Sequence, residues 1–406
     1  MTRTKNGAVV GALTALALML GASAFVPAAS AEVQPHGEIR DLPGAIDLTG
    51  EHPDRPGVER NCTVTQRTLT DSDSDGNAEF IYIAVACREA ADLNHNGTMD
   101  AWRRTEANFT RVDRNDDKAA ELAELFVDAT TTVDRNEDGA MDAQRADHIR
   151  VAVVDRDSDG YPDAVTKSHA ARFSADRDMD GTTEVSGYET ATLSAADTLG
   201  RPALDVFEFS KEARVTRFGD RSADNPIAAA GYDITARAAD RDGDGQVDIK
   251  RVEASRFGYI DRNADGNPEL AGREHIEAGA ADRNYDGRFD VFALNVSRGF
   301  ASDRNSDGNP EVQAHEGLVV FAVDRDFDGD LDFAKLVGHK VVLLDPNSDG
   351  VIDRVYRTSW ERVFYDIDHE RRDGRTAIVD EPARALDEPT DVPEELPPLD
   401  EAPADR

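Results

Sequence analysis

The sequence predicts an all-β repeat protein, a β-propeller of seven or eight blades with acidic loops between its strands. Three observations lead there. An acidic loop of the form DxDxDGxxD returns every 21 residues over most of the chain. Roughly a dozen residues rich in β-branched and aromatic side chains follow each loop, as in Phe80-Ile81-Tyr82-Ile83 and Leu318-Val319-Val320-Phe321. Alternate repeats also differ in character, so the full period is 42 residues. Self-similarity of this kind marks an architecture in which no single unit can bury its own apolar face.

Composition bounds the class. The chain has 406 residues, is 32% charged and carries a formal net charge of −36. Such a polyanion does not seek nucleic acid or an anionic membrane. High charge with modest apolar content would also suit a disordered chain, but the regular return of apolar stretches argues against it. Residues 1–31 read as a secretory signal peptide: Arg3 and Lys5 precede an apolar run from Ala8 to Leu20, and the small residues Ala29-Ser30-Ala31 offer a cut before Glu32. That run is short for a membrane span, so the expected product is exported, soluble and monomeric. In an oxidising compartment the two cysteines, Cys62 and Cys87, suggest one disulfide, with two buried thiols as the alternative. Residues 32–58 read as a flexible linker, residues 59–380 as the repeat domain and residues 381–406 as a disordered acidic, Pro-rich tail.

The loops carry the chemistry. The first series offers as metal ligands Asp71, Asp73, Asp75 and Glu79, then Asp92, Asn94, Asn96 and Asp100, then Asp113, Asn115, Asp117 and Glu121. It continues with Asp134, Asn136, Asp138 and Asp142, with Asp155, Asp157, Asp159 and Asp163, and with Asp176, Asp178, Asp180 and Glu184. The second series offers Asp240, Asp242, Asp244 and Asp248, then Asp261, Asn263, Asp265 and Glu269, then Asp282, Asn284, Asp286 and Asp290. It ends with Asp303, Asn305, Asp307 and Glu311, with Asp324, Asp326, Asp328 and Asp332, and with Asp345, Asn347, Asp349 and Asp353. Between the series, segments opening at Asp197 and Asp220 are degenerate copies.

Three side-chain oxygens at alternate positions, a glycine that permits a tight wrap, a backbone carbonyl and a closing carboxylate make a hard-oxygen cage suited to Ca²⁺. Magnesium would use fewer carboxylates and more water, and zinc would want His or Cys. Solvated acidic turns are the plain alternative, but turn chemistry alone does not require carboxylates at the same offsets in copy after copy. The copy at Asp113 has Lys118 where the glycine belongs, which predicts weak binding or none. An EF-hand loop would end in a bidentate Glu at its twelfth position; here those positions hold Tyr82, Arg103, Glu124, Arg145, Thr166 and Gly187. The loops therefore belong between strands. Arg at the second position, as in Arg156, Arg262 and Arg325, reads as compensation for crowded carboxylates.

Each dozen residues between loops divides into two short strands around a polar dipeptide such as Asp147-His148, Ser168-His169 or Glu316-Gly317. At the twelfth residue after the opening Asp, alternate repeats carry Ile83, Leu125, Lys167, Phe209, Val252, Leu294 and Leu336. The intervening ones carry Arg104, Ala146, Tyr188, Tyr232, Arg273, His315 and Arg357. Two unequal halves of inner and outer strands make a unit the size of a propeller blade. A calcium-laddered β-solenoid is the rival; it does not predict the alternation.

The stretches Ile149 to Lys167, IRVAVVDRDSDGYPDAVTK, and Leu318 to Leu336, LVVFAVDRDFDGDLDFAKL, resemble FG-GAP repeats, the calcium-loop units of integrin-alpha-type propellers. The resemblance covers about 65 to 365 and implies calcium in the loops. The Gly-Ala-Pro element is missing, the blade is shorter, and both loops of a blade are acidic.

The expected function is a secreted, calcium-stabilised scaffold or adhesion module that meets an extracellular protein or polysaccharide. The alternative is a calcium-dependent hydrolase or lyase acting on phosphate esters or acidic polysaccharide. Against it, no nucleophile-elbow serine or zinc-binding His pair appears. His148, His169 and His275 share one turn position and form a possible metal or catalytic patch. A calcium buffer whose folding is incidental is a third class, and the apolar strands argue against it.

Overall fold

The computed structural model describes residues 58–117, 120–200, 204–219, 222–329 and 331–365. The expected signal peptide, most of the linker and the acidic tail lie outside the described residues.

Every described stretch between loops is one strand. The first eight are β1 (Val58–Thr70), β2 (Phe80–Ala91), β3 (Ala101–Val112), β4 (Leu122–Val133), β5 (Ala143–Val154), β6 (Ala164–Ala175), β7 (Val185–Ala196) and β8 (Val206–Gly219). The rest are β9 (Ser222–Ala239), β10 (Ile249–Ile260), β11 (Leu270–Ala281), β12 (Val291–Ser302), β13 (Val312–Val323), β14 (Phe333–Leu344) and β15 (Arg354–Tyr365). They form one antiparallel sheet of 15 strands in strict chain order, and each strand packs substantially only on its chain neighbours. At about 4.8 Å per strand the sheet is a ribbon on the order of 70 Å long. The all-β repeat class is therefore right.

The blades are not there. A propeller of four-stranded blades requires the strands to part into separate sheets and the ring to close. Here the ladder is unbroken from β1 to β15, and these two end strands do not pair with each other. The dipeptides expected to turn are extended and paired on both sides: Asp147 faces Ala129 and Ala171, and His148 faces Asp128 and Ala170. Asp147 and Ser168 are residue types that turns favour, but strand neighbours on both sides pair with them in unbroken register, so the ladder carries the chain straight through. A solenoid is equally unsuited, because its coils would stack in parallel and these strands are all antiparallel.

The 42-residue alternation has a simpler cause. Directly opposed residues in an antiparallel pair share a face, and neighbours along a strand alternate. Because 21 is odd, the pairing register puts equivalent positions of successive repeats on opposite faces. Every second repeat returns to the same face and the same level. Ile83, Phe109, Leu125 and Val151 follow one another across β2 to β5, and Val252, Ala278, Leu294, Val320 and Leu336 do so across β10 to β14. The alternation thus separates two faces of one sheet. One extra residue is absorbed at the register shift after Arg217 in β8, so Gly231, not Tyr232, occupies the level of Tyr188 and Arg273.

The apolar face holds the core. Ala278, Leu294, Val320, Ala322, Ala334 and Leu336 are buried together, with Ile276, Phe292, Leu318 and Phe364 packed around them. One level along that face charges alternate from strand to strand: Glu274 accepts from Arg256 and Arg298, and Lys340 pairs with Glu316. These side chains lay their stems over the sheet and pair across it, which suits a surface with no second layer. At the β1 end, Cys62 faces Cys87 and the expected disulfide is formed. Leu336→Ala is expected to lower stability to urea by about 2–5 kcal/mol, whereas Val319→Ala, on the other face and 46% exposed, costs less than about 1 kcal/mol.

Candidate metal centres

The antiparallel meander sends successive loops to opposite ends of the strands. Loops opening at Asp71, Asp113, Asp155, Asp197, Asp240, Asp282 and Asp324 line one rim of the ribbon, and those at Asp92, Asp134, Asp176, Asp261, Asp303 and Asp345 line the other. All the ligand residues expected from the sequence fall in these strand-to-strand loops, flanked by strands on both sides as the failed EF-hand match requires.

Each loop is wound by its own acidic side chains. The opening Asp accepts the glycine N–H at 2.6–3.0 Å in eleven loops, from Gly76 to Gly350. Its other oxygen accepts the N–H of the fourth residue in several loops, as at Ser74, Ser158, Met179 and Phe327. The third and fifth side chains accept from N–H groups two residues on, as Asp157 does from Asp159 and Asp159 from Tyr161. The closing carboxylate reaches back to the second residue's N–H, as Asp100 does to Leu93 at 2.7 Å and Glu269 to Arg262 at 2.7 Å. This winding needs two left-handed residues. The fourth has φ between 53° and 66° in eleven loops although it is not glycine, and the sixth is glycine at φ 82–97°.

The opening Asp is buried in most loops and the closing residue in several, while the middle is open. The opening and closing residues Asp113, Asp142, Asp290, Asp303 and Asp345 are at most 2% exposed, whereas the third and fifth residues of most loops face solvent. Carboxylate oxygens converge within 4.8 Å of one another in Asp176, Asp178, Asp180 and Glu184, in Asp71, Asp73 and Glu79, in Asp155, Asp157 and Asp163, and in Asp240, Asp242 and Asp248. Several of these groups could hold a metal ion. One further triad, Asp73, Asp75 and Asp116, spans two loops of the same rim.

The electrostatics show an uncompensated cage. Burial pushes the Asp155 carboxyl above its ordinary value, and Asp159 and Asp157 add to the push. Asp178 is raised by burial and then by Asp180 and Glu184, and Asp326 by burial and then by Asp328 and Asp332. Burial also acts on the closing Glu121 and Glu311, but the N–H groups of Arg114 and Arg304 that they accept hold both below the ordinary range. One oxygen has no partner at all in several buried carboxylates: Oδ1 of Asp113, Asp134, Asp261, Asp303 and Asp345, and Oε1 of Glu184. Leaving a buried anionic oxygen unpaired is costly, and a cation at the loop centre removes that cost.

The second-position arginines do other work than expected in two cases. Arg283 donates through Nη2 to the carbonyl of Asp324 at 3.0 Å and lies over Phe327, while Arg325 lies over Phe333. The three histidines do not form a patch. They lie within β5, β6 and β11, where His148 contacts Asp128, His169 contacts Asp147 at 3.1 Å and His275 contacts Ser255 at 3.0 Å. The segment at Asp197 keeps the end carboxylates without those between them: Asp205, 3% exposed, takes the Thr198 N–H at 2.9 Å and its hydroxyl at 2.8 Å. At the second degenerate segment no loop of this kind stands between β8 and β9, and Asp220 itself lies outside the described residues.

Sequence reading missed the fourth loop residue, whose side chain in several loops reaches the preceding loop on the same rim. Ser158 donates to Glu121 at 3.2 Å, Ser306 to Glu269 at 3.1 Å, and Glu137 accepts from Asn94 at 2.9 Å and from Asn96. The 42-residue spacing was the signal that could have found it.

No family model, curated protein or solved structure matches the chain.

Gly160→Ala is expected to weaken its loop by about 1 kcal/mol or more through backbone strain alone, since φ is 88° and a Cβ there would meet nothing. Gly299→Ala, in β12 with equally open space and no left-handed backbone, is expected to be neutral or to stabilise by about 0.4–1 kcal/mol. Urea midpoints measured with calcium present check both.

Proposed function

We propose that this chain is an exported calcium-binding scaffold whose ribbon is held together by ions along its two rims. The observation that carries the reading is the set of buried carboxylate oxygens without a partner in the opening residues Asp113, Asp134, Asp261, Asp303 and Asp345. The donor set is hard oxygen throughout, with no His or Cys in the loop ligand positions; His95 stands at an exposed fourth position outside them. Calcium takes six to eight such oxygens at about 2.3–2.6 Å and tolerates irregular geometry, which suits loops with both Asp and Asn at the third position. The leader-like segment at residues 1–31 supports export, and calcium outside the cell matches the affinity range expected of such modules, roughly 10⁻⁴ to 10⁻³ M. The FG-GAP resemblance supports the reading through its loops and adjoining strands.

Cations would act on folding as much as on function. Without them each acidic loop gathers two to four carboxylates whose repulsion opposes closure, so ion binding and sheet formation would be linked. A single-layer sheet with both faces open has little else to draw on. The rigid ribbon then serves as a spacer or docking surface for an extracellular protein or polysaccharide.

In calcium the protein is expected to melt cooperatively and resist protease, and in EGTA to lose most of its β signal in circular dichroism and become susceptible. Melting curves that coincide with and without chelator would overturn the reading.

A further inference from the structure

The proposed calcium loops are joined to one another along each rim, not across the sheet. From Asp113 onward the opening Asp of every acidic loop except the one at Asp261 donates its backbone N–H to the carbonyl of the closing residue two loops earlier, the neighbour on the same rim. Asp113 bonds to Glu79, Asp134 to Asp100, Asp155 to Glu121, Asp176 to Asp142, Asp282 to Asp248, Asp303 to Glu269, Asp324 to Asp290 and Asp345 to Glu311, at 2.7–3.1 Å. Each bond ties the first ligand residue of one loop to the last ligand residue of another. No loop can change its winding without moving its neighbour's closing carboxylate.

The fourth residue adds a side-chain link in the same direction. Its left-handed backbone turns the side chain toward the preceding loop of its rim, where Ser158, Ser306 and Glu137 meet Glu121, Glu269 and the Asn94–Asn96 pair. Asp116 does the same toward Asp73 and Asp75, its oxygen within 4.8 Å of theirs. The most informative case is Glu137. The loop it reaches has only two carboxylates among its four ligand positions, Asp92 and Asp100, with Asn94 and Asn96 between them. A third carboxylate therefore arrives from outside the loop, where its own charge is lowest.

Resting on the calcium reading above, we infer that Glu137 is a shared ligand for the ion in the loop at Asp92, and that ions bind in coupled runs along each rim. The runs are set by where the rims are interrupted. On the first rim the backbone bonds continue through the segment at Asp197, from Asp197 to Asp163 and from Asp240 to Asp205, but that segment lacks the middle ligand carboxylates and so places a loop without a full ligand set between the loops at Asp71, Asp113 and Asp155 and those at Asp240, Asp282 and Asp324. On the second, the short connection between β8 and β9 separates the loops at Asp92, Asp134 and Asp176 from those at Asp261, Asp303 and Asp345. There the rim bonds run instead from Phe218 to Glu184 and from Asp261 to Ile227, so at each the partner of an acidic loop residue is an apolar strand residue. Four runs of three result. Loops that are consecutive in sequence lie on opposite rims, about 40 Å apart for strands of 12 residues, and are independent.

The test reads each loop separately in the full mature chain, titrated with calcium and followed by the amide resonances of the loop glycines, whose N–H groups bond the opening carboxylates. Asp134→Asn is expected to shift the calcium midpoints at Gly97 and Gly181, its rim neighbours, several-fold upward and leave Gly160, its neighbour in sequence, unchanged. Glu137→Gln, which keeps the loop at Asp134 intact and guards against loss of folding in the first variant, is expected to shift Gly97 about tenfold and Gly160 not at all. Midpoints at Gly97 that stay put in both variants, or shifts at Gly160 as large as those at Gly97, overturn the coupling while leaving calcium binding in place. Glycine resonances that ignore calcium in the unaltered protein overturn the calcium reading and the coupling with it.

Discussion

The structure depends on the placement of carboxylates where water does not reach them. The opening residues of most loops, and the closing residues of several, sit buried at the ends of strands, and several keep an oxygen with no hydrogen-bond partner. A buried carboxylate without a counter-charge disfavours the fold by several kcal/mol in general, and here the arrangement recurs from one end of the ribbon to the other. Backbone N–H groups from the second, fourth and sixth residues supply part of the compensation. They accommodate charge; they do not cancel it. A hard divalent cation at the centre of each loop would, and it would convert the most destabilising feature of the chain into the one that fixes every hairpin.

That constraint explains why so thin a sheet can exist. Its faces have no covering layer among the described residues, its buried core is a strip of Ala, Val and Leu centred on β11 to β14, and the rest of the surface is covered by cross-strand ion pairs. Apolar burial of that extent is modest for a ribbon of 15 strands. Cross-linking at both rims, by backbone bonds between loops and, on the proposed reading, by ions within them, would replace the second layer that ordinary sheets use. The odd repeat length then does the sorting: it turns equivalent positions to opposite faces, so one face collects Ile83, Leu125, Leu294 and Leu336 while the other collects Arg104, Arg273, His315 and Arg357.

The loops were legible because their chemistry is local. Asp155, Asp157, Gly160 and Asp163 are close in sequence, and the hydrogen bonds that wind them reach no further than seven residues. Strand identity was legible for the same reason, in runs such as Leu318 to Phe321. Strand length was not: a polar pair such as Asp147-His148 reads as a turn until the partners Asp128, Ala129, Ala170 and Ala171 are seen to hold it extended. The 42-residue alternation was read correctly as a period and wrongly as a blade, because periodicity reports that two environments alternate without saying whether they are faces or layers. The links made by Glu137, Ser158 and Ser306 join residues about 40 apart, and only the meander brings them together.

The number of ions bound per folded chain tests this account most directly. Isothermal titration of the chelator-stripped mature protein with calcium should give a stoichiometry close to the twelve acidic loops, with eleven if the loop carrying Lys118 stays empty, and heat that includes folding of the sheet. A stoichiometry of one or two, or a sheet already fully formed before calcium is added, would contradict it.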